Sequence, residues 1–172
     1  MIGLDELKFL STKTYTHSQG LSCCFRQWRA LSHCRFLHGY ALEVKITFSA
    51  VELDDNGWVQ DFGGLKVIKN WLEDKFDHKT VVANDDPEMA VFSDLHNRNL
   101  IQLRVFKNVG CEAFAFHIFK FVDWWLEDEY NDRRNITLEP TRGDPKPRVR
   151  VECVEIREHG ANSAIVRRRQ GE

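Results

Sequence analysis

From Tyr40 to Phe48 apolar and polar residues alternate without a break: Tyr40, Leu42, Val44, Ile46 and Phe48 on one face, Ala41, Glu43, Lys45 and Thr47 on the other. Successive side chains of a strand point to opposite faces, so this segment reads as a strand with one face on a core and one on water. That pattern belongs to antiparallel sheets, because parallel strands covered on both faces read as unbroken apolar runs. Two further segments are amphipathic at helical spacing. Leu65, Ile68, Trp71, Leu72 and Phe76 recur at helical spacing behind Asp61, a candidate N-cap, and predict a helix over 63–76. Phe114, Ile118, Phe121, Val122 and Trp125 form a second stripe and predict a helix over 111–127.

The remaining elements are shorter. Residues 8–17, rich in Thr and aromatics, read as a first strand ending at His17. Asp54-Asp55-Asn56-Gly57 supplies turn residues and Trp58-Val59-Gln60 resumes an extended pattern, which predicts a hairpin. A short helix over 85–99 follows Pro87, then a strand over 100–106. Beyond a loop broken by Pro140, Gly143, Pro145 and Pro147, residues 148–157 are extended but change parity: Val149, Val151 and Cys153 are odd, Val154 and Ile156 even. A β-bulge near Cys153 reconciles the two halves and re-aims what lies beyond it, Glu158 included. Arg167-Arg168-Arg169 reads as part of a solvated, frayed tail over 167–172. With no internal repeat, 172 residues of which 42% are apolar fill one core, so a single domain over 1–172 is expected.

Charge narrows the function. The 24 Lys and Arg against 26 Asp and Glu leave a formal −2, without the positive field of a nucleic-acid binder. No apolar run approaches the ~20 residues of a membrane span, and Asp5 and Glu6 stand where a signal peptide is basic and then apolar. A cytoplasmic chain with neither a membrane nor a nucleic-acid partner is expected. Five cysteines, an odd number that includes the neighbours Cys23 and Cys24, argue for thiols rather than a disulfide framework.

The residues able to do chemistry are His17, Cys34, His38, Asp77, His78 and Glu158. Cys34-Arg35-Phe36-Leu37-His38-Gly39-Tyr40 sets a thiol and an imidazole just ahead of the alternating strand, and an Asp beside a His, as in Asp77-His78, orients the ring and holds its proton. Cys, His and Asp together suffice for a proton shuttle or a nucleophile. A structural zinc module of Cys23, Cys24, His33 and Cys34 is a further reading, with spacings that fit no standard finger.

These motifs resemble those of the 6-pyruvoyltetrahydropterin synthase and 6-carboxytetrahydropterin synthase family. Cys34-x-x-x-His38-Gly39-Tyr40 is similar to the family's Cys-x-x-x-His-Gly-His, and Gly57-Trp58-Val59-Gln60-Asp61-Phe62-Gly63-Gly64-Leu65-Lys66 to its Gly-x-x-x-Asp-Phe-x-x-Leu-Lys. Asp77-His78 resembles its Leu-Asp-His, the run from Gly110 to Ala115 with Glu112 its Thr-Ser-Glu-Asn-Leu-Ala, and Val154 to Glu158 its closing strand. The resemblance implies an α+β T-fold: a four-stranded antiparallel sheet with two helices on one face, here with an inserted helix-strand segment over 79–109. It implies a homo-oligomer, usually a hexamer built as a dimer of trimers, with active sites between subunits.

It further implies a lyase that converts 7,8-dihydroneopterin triphosphate to 6-carboxytetrahydropterin, in 7-deazaguanine (queuosine) biosynthesis. The pyruvoyl-type reaction and a non-catalytic pterin- or purine-binding protein are the alternatives. On this resemblance Zn2+ is held by His17, His38 and the residue at Tyr40. It polarises the side-chain oxygens of the substrate while Cys34 moves protons as base. Asp77 orients His78, and Glu158, with Glu112 nearby, receives the pterin ring. The third ligand is open, because a phenol titrating near ~10 is a poor zinc ligand: Tyr40 as phenolate, His33, Cys23 or Cys24 in its stead, or no metal. Cys23 or Cys24 also competes for the place of His17. Arg26, Arg29, Arg35 and Lys79 offer cations that a triphosphate needs.

Overall fold

The computed structural model describes residues 7–130 and 148–169. Strand β3 (His38–Ala50) is the spine of the sheet, and its alternation places Leu42, Val44, Ile46 and Phe48 in the core at 0% exposure while Ala41 and Lys45 face out. Two strands share one of its edges. β2 (Leu21–Phe25) pairs antiparallel with the first half, from Phe25 opposite His38 to Leu21 opposite Leu42. β1 (Phe9–Tyr15) pairs with the second half, from Tyr15 opposite Val44 to Phe9 opposite Ala50. Between them the chain steps out in a 3-10 turn, His17–Gln19, and returns through Gly20 at φ +81°, a left-handed conformation that glycine adopts without strain. The predicted first strand therefore ends at Tyr15, two residues before His17.

The other edge of β3 pairs antiparallel with β6 (Arg150–His159), which turns back into β7 (Asn162–Arg167). The parity change within β6 is resolved by the expected bulge. Thr47 faces Cys153 but Phe48 faces Val151, so Glu152 is passed over and Val149, Val151, Val154 and Ile156 all reach the core at 0% exposure.

The expected set of four antiparallel strands is extended. β4 (Lys79–Ala83) lies parallel to β2, and β5 (Leu103–Phe106) parallel to β4, giving a seven-stranded mixed sheet in the order β5-β4-β2-β3-β6-β7 with β1 also on β3. Residues 79–109 thus carry β4, α2 (Met89–Asn97) and β5, a strand-helix-strand unit with parallel strands, and bury Val81 and Val82. Helix α1 (Lys66–Phe76) follows a 3-10 turn that begins after Asp61, whose carboxylate accepts from the Gly63 amide at 2.8 Å. It packs on β2 and β4, while α3 (Cys111–Trp125) packs on β6 and β7. Trp71 of α1 stacks on Phe121 of α3 at 4.3 Å, and Phe76 meets Phe114 at 5.3 Å, so both helices share one layer over one core. Each such aromatic contributes about 1.5–3 kcal/mol by leaving water.

Two expectations are corrected. Trp58-Val59-Gln60 is not a strand: the Asp54 carboxylate takes the amides of Asn56 and Trp58, and Arg148 binds the carbonyls of Glu52, Trp58 and Val59. The edges of β3 are already filled by β1, β2 and β6, so no ladder remains for a hairpin there. The tail does not fray at its start, since Arg167 ends β7 and Arg168 binds Asp123 and the Val151 carbonyl while lying over the Phe119 ring. Asp5, Glu6, residues 170–172 and the loop from Pro140 to Pro147 lie outside the described residues. Among the described residues no helix is long and apolar enough to cross a membrane.

Candidate functional site

Four segments meet beside the first turn of α3. β3 brings His38 and Tyr40 on its core face, with their rings 5.7 Å apart. Alternation beyond the bulge sets Glu158 on the same face as Val154 and Ile156, and a register shift between Arg157 and His159 leaves it outside the β7 ladder. α3 contributes Cys111 and Glu112. Gly110 before them has φ +108° and ψ 166°, a conformation essentially reserved for glycine, and any side chain there would meet the Gln27 carboxamide. The loop after β2 contributes Gln27 and Cys34, tied by a 2.9 Å bond from the Gln27 amide to the Cys34 carbonyl. Cys34 sits in a 3-10 turn, His33–Arg35, behind Ser32, whose hydroxyl accepts the Cys34 amide.

The electrostatics show how closely these groups sit. Burial first, and then Glu158 beside it, pushes the Cys111 thiol up to about 12, so Cys111 stays protonated. Burial first, and then Glu158, Cys34 and Cys111, raise the Tyr40 phenol above its ordinary value. Glu158 is thus a partly buried side chain close to Tyr40 and Cys111, and Cys34 is close enough to act on the same phenol. Glu112 flanks Gly110 on the exposed side. A cleft of about 360 Å3 beside Gln27 is lined also by Trp28, Arg29, Ala83 and Val109. A larger apolar concavity of about 530 Å3, between β1 and residues 57–63, holds no comparable set of titratable groups.

Asp77 and His78 form the expected pair. The His78 Nδ1–H donates to Asp77 Oδ1 at 2.8 Å, which orients the ring and turns Nε2 away from the carboxylate, on a side chain that is 80% exposed. His78 takes φ +55°, and its amide donates to the Ser22 carbonyl. Ser22 and Phe25 stand three residues apart on β2, roughly 10 Å in an extended chain. The pair and the Cys34 loop therefore lie at opposite ends of β2 within one chain.

The expected zinc ligands do not assemble. Backbone carbonyls only accept, so the bonds from His17 to the Ala41 carbonyl and from His38 to the Phe36 carbonyl (2.7 Å) fix Nδ1 as the donor and leave Nε2 free. That anchoring suits metal ligands, but the two rings are tethered apart. His17 is held beside Ala41, and the residue paired with His38 across the sheet is Phe25, its ring 4.8 Å from the imidazole. Cys23 faces Tyr40 in register but is buried, which drives its thiol far above the ordinary value, and Cys24 points to the opposite face. His33 is exposed in its 3-10 turn. Among the described residues no three His, Cys, Asp or Glu side chains converge on one point, so neither the three-ligand zinc site nor a module of Cys23, Cys24, His33 and Cys34 fits.

The expected phosphate cations are largely engaged. Arg26 grips the buried Asp86 at 2.8 and 2.5 Å, Arg29 pairs with Asp85, which also takes the Trp28 indole N–H, and Lys79 bonds Gln102. Residues 79–109, left without a role by the sequence, thus clamp the loop that carries Cys34. Gln27 escaped sequence reasoning, and Gly110 and Cys111 entered it only as part of the motif around Glu112, without a role of their own.

Comparison with known proteins places this arrangement. The chain is 42% identical over 58 residues to 6-carboxy-5,6,7,8-tetrahydropterin synthase of Rickettsia felis, a match covering 33% of this chain and 42% of that protein. It is 40% identical over 87 residues to the enzyme of the same name from Rickettsia typhi, covering 49% and 62%. The chain spans about half the length of the curated relatives it matches. An uncharacterized protein of Wolinella succinogenes has the same fold, with TM-score 0.70 at 19% identity over 95% of this chain and 99% of that one. So does 6-pyruvoyl tetrahydropterin synthase of Plasmodium falciparum, with TM-score 0.60 at 15% identity over 94% and 98%. The family model described as 6-pyruvoyl tetrahydropterin synthase matches residues 14–169, from the first strand through Glu158 to the end of β7, and to that family the chain belongs.

Proposed function

We propose that the chain is a pterin-directed lyase of the 6-carboxytetrahydropterin synthase type, taking 7,8-dihydroneopterin triphosphate to 6-carboxytetrahydropterin on the way to 7-deazaguanines. The observation that carries the reading is Glu158. It stands partly buried on β6 beside Tyr40 and Cys111, where its oxygens can accept paired hydrogen bonds from the amino and ring N–H groups of a pterin, an edge that only an acceptor-only side chain matches. Cys111 lies beside that carboxylate, and Glu112 flanks Gly110 at the start of α3. Cys34 is the group placed to move a proton on the substrate side chain. His78, oriented by Asp77, is the second proton carrier. Because it lies at the far end of β2 from Cys34, it serves the site of a neighbouring copy, so the active form is a homo-oligomer, with a hexamer as the expected size. The names of the curated relatives support the carboxy-type product.

A second reading, a pterin- or purine-binding protein without turnover, is favoured by Phe25 opposite His38 and by the engagement of Arg26 and Arg29. Incubation with 7,8-dihydroneopterin triphosphate, followed by mass spectrometry, separates the two. The lyase forms 6-carboxytetrahydropterin and loses that activity in Cys34→Ser; the binder leaves the substrate unchanged. In both, Glu158→Gln weakens pterin binding by about 2–5 kcal/mol in calorimetry, because one acceptor becomes a donor facing a donor. Unaltered pterin binding in that variant refutes the assignment of Glu158.

A further inference from the structure

We infer that this chain's pocket receives its ligand without a zinc ion, and that His38 acts there as a hydrogen-bond acceptor instead of a metal ligand. The argument rests on register. The residue of the neighbouring strand nearest to His38 is the one directly across from it, where Cβ atoms lie about 4.5–5.5 Å apart, and the next on that face, Cys23 opposite Tyr40, is a short side chain buried in the core at 2% exposure. The place across from His38 holds Phe25, 1% exposed, packed on the His38 ring at 4.8 Å and edge-on to Phe114 at 5.1 Å. Zinc needs lone pairs at about 2.0–2.3 Å, and Phe25 presents only carbon. Two residues along β3 the next donor place on the same face is Tyr40, and the residue between, Gly39, has no side chain. His17 cannot make up the loss, being bonded to Ala41, which lies three residues beyond His38.

What remains is one imidazole flanked by two aromatic rings. Its Nδ1–H is spent on the Phe36 carbonyl, so Nε2 keeps a lone pair that can accept an N–H or O–H of a bound heterocycle. This second part rests on the pterin reading above; the absence of a zinc-binding donor set does not.

The test uses the purified full chain with Co2+ as a spectroscopic substitute for zinc and unsubstituted pterin as the organic probe. The parent protein is expected to give no saturable visible bands of tetrahedral Co2+. Phe25→His/Tyr40→His, which restores three imidazoles on one face, should bind Co2+ at least about 100-fold more tightly, the upper end of what loss of a mere outer-shell partner costs. Pterin affinity of the parent, by calorimetry, should be unchanged by a chelator. Stoichiometric Co2+ binding by the parent that disappears in His38→Ala overturns the inference, as does loss of pterin binding on chelation. If the double variant does not fold, the parent's Co2+ titration against His38→Ala still decides. If no pterin binds with or without metal, the pterin reading fails while the Co2+ result stands on its own.

Discussion

Replacing Asp86 by Asn should weaken the whole fold and loosen the loop that carries Cys34. Asp86 is 4% exposed; its carboxylate takes both Nε and a terminal nitrogen of Arg26, and the Glu88 amide at 2.9 Å. Burial alone would raise its pKa, but the Arg26 hydrogen bonds, the Glu88 amide and the guanidinium charge carry it below the usual carboxylate value. Asn keeps the shape and still accepts the Glu88 amide through its one oxygen, but its Nδ2 then faces the Arg26 Nε–H as a donor against a donor, so the charge and one hydrogen bond of the pair are lost together. Breaking a buried pair costs about 3–5 kcal/mol, and Arg26, whose side chain is 20% exposed, keeps some water, which sets the expectation near about 3 kcal/mol. With a urea slope of about 2 kcal/mol per molar, the unfolding midpoint should fall by about 1.5 M. Amide exchange at Gln27 and Ala30, which hold the loop through the Cys34 and Gln27 carbonyls, should accelerate together. The sign with pH follows from the depressed folded-state pKa: the contribution is complete above the unfolded value of about 3.9 and is lost as pH falls through the folded one. Parent and variant should therefore converge in acid. A midpoint shift below about 0.3 M at neutral pH refutes the clamp, and Arg26→Met/Asp86→Leu recovering most of the stability supports it, since an apolar pair can replace a buried ionic one.

Two further substitutions probe how the site is framed. Gly110→Ala forces a side chain into a glycine-only conformation at a cost of about 1–3 kcal/mol, and its Cβ displaces the Gln27 carboxamide; a lower melting temperature together with weaker pterin binding is expected, and an unchanged melting temperature contradicts the strain argument. Arg168→Ala removes the bonds to Asp123 and Val151 and the contact over Phe119, which should cost about 1–2 kcal/mol in chemical denaturation; a frayed tail would show no change.

The sequence by itself determined what local periodicity controls. The alternation of Tyr40 to Phe48, the apolar stripes behind Asp61 and Gly110, and the parity break near Cys153 each encode a backbone period, and each became the element it predicts because no neighbour overrides it. Chemistry-bearing residues were legible as types and as motifs, whereas which of Cys34, His38, Asp77, His78 and Glu158 lie near one another was not. The strand β2 was not legible, since Leu21-Ser22-Cys23-Cys24-Phe25 is too short to show a period and its cysteines read as ligands. That one strand carries the inference about the metal. Which residue faces His38 is a matter of long-range pairing, set by how β1 and β2 divide an edge of β3. Sequence order names His17, whereas the ladder supplies Phe25. The fate of the arginines was likewise tertiary: Arg26 and Asp86 are 60 residues apart in the chain, and only the parallel pairing of β4 beside β2 brings them together. Pairings of that separation leave no trace in local pattern, because their energy is realised only once the sheet has formed.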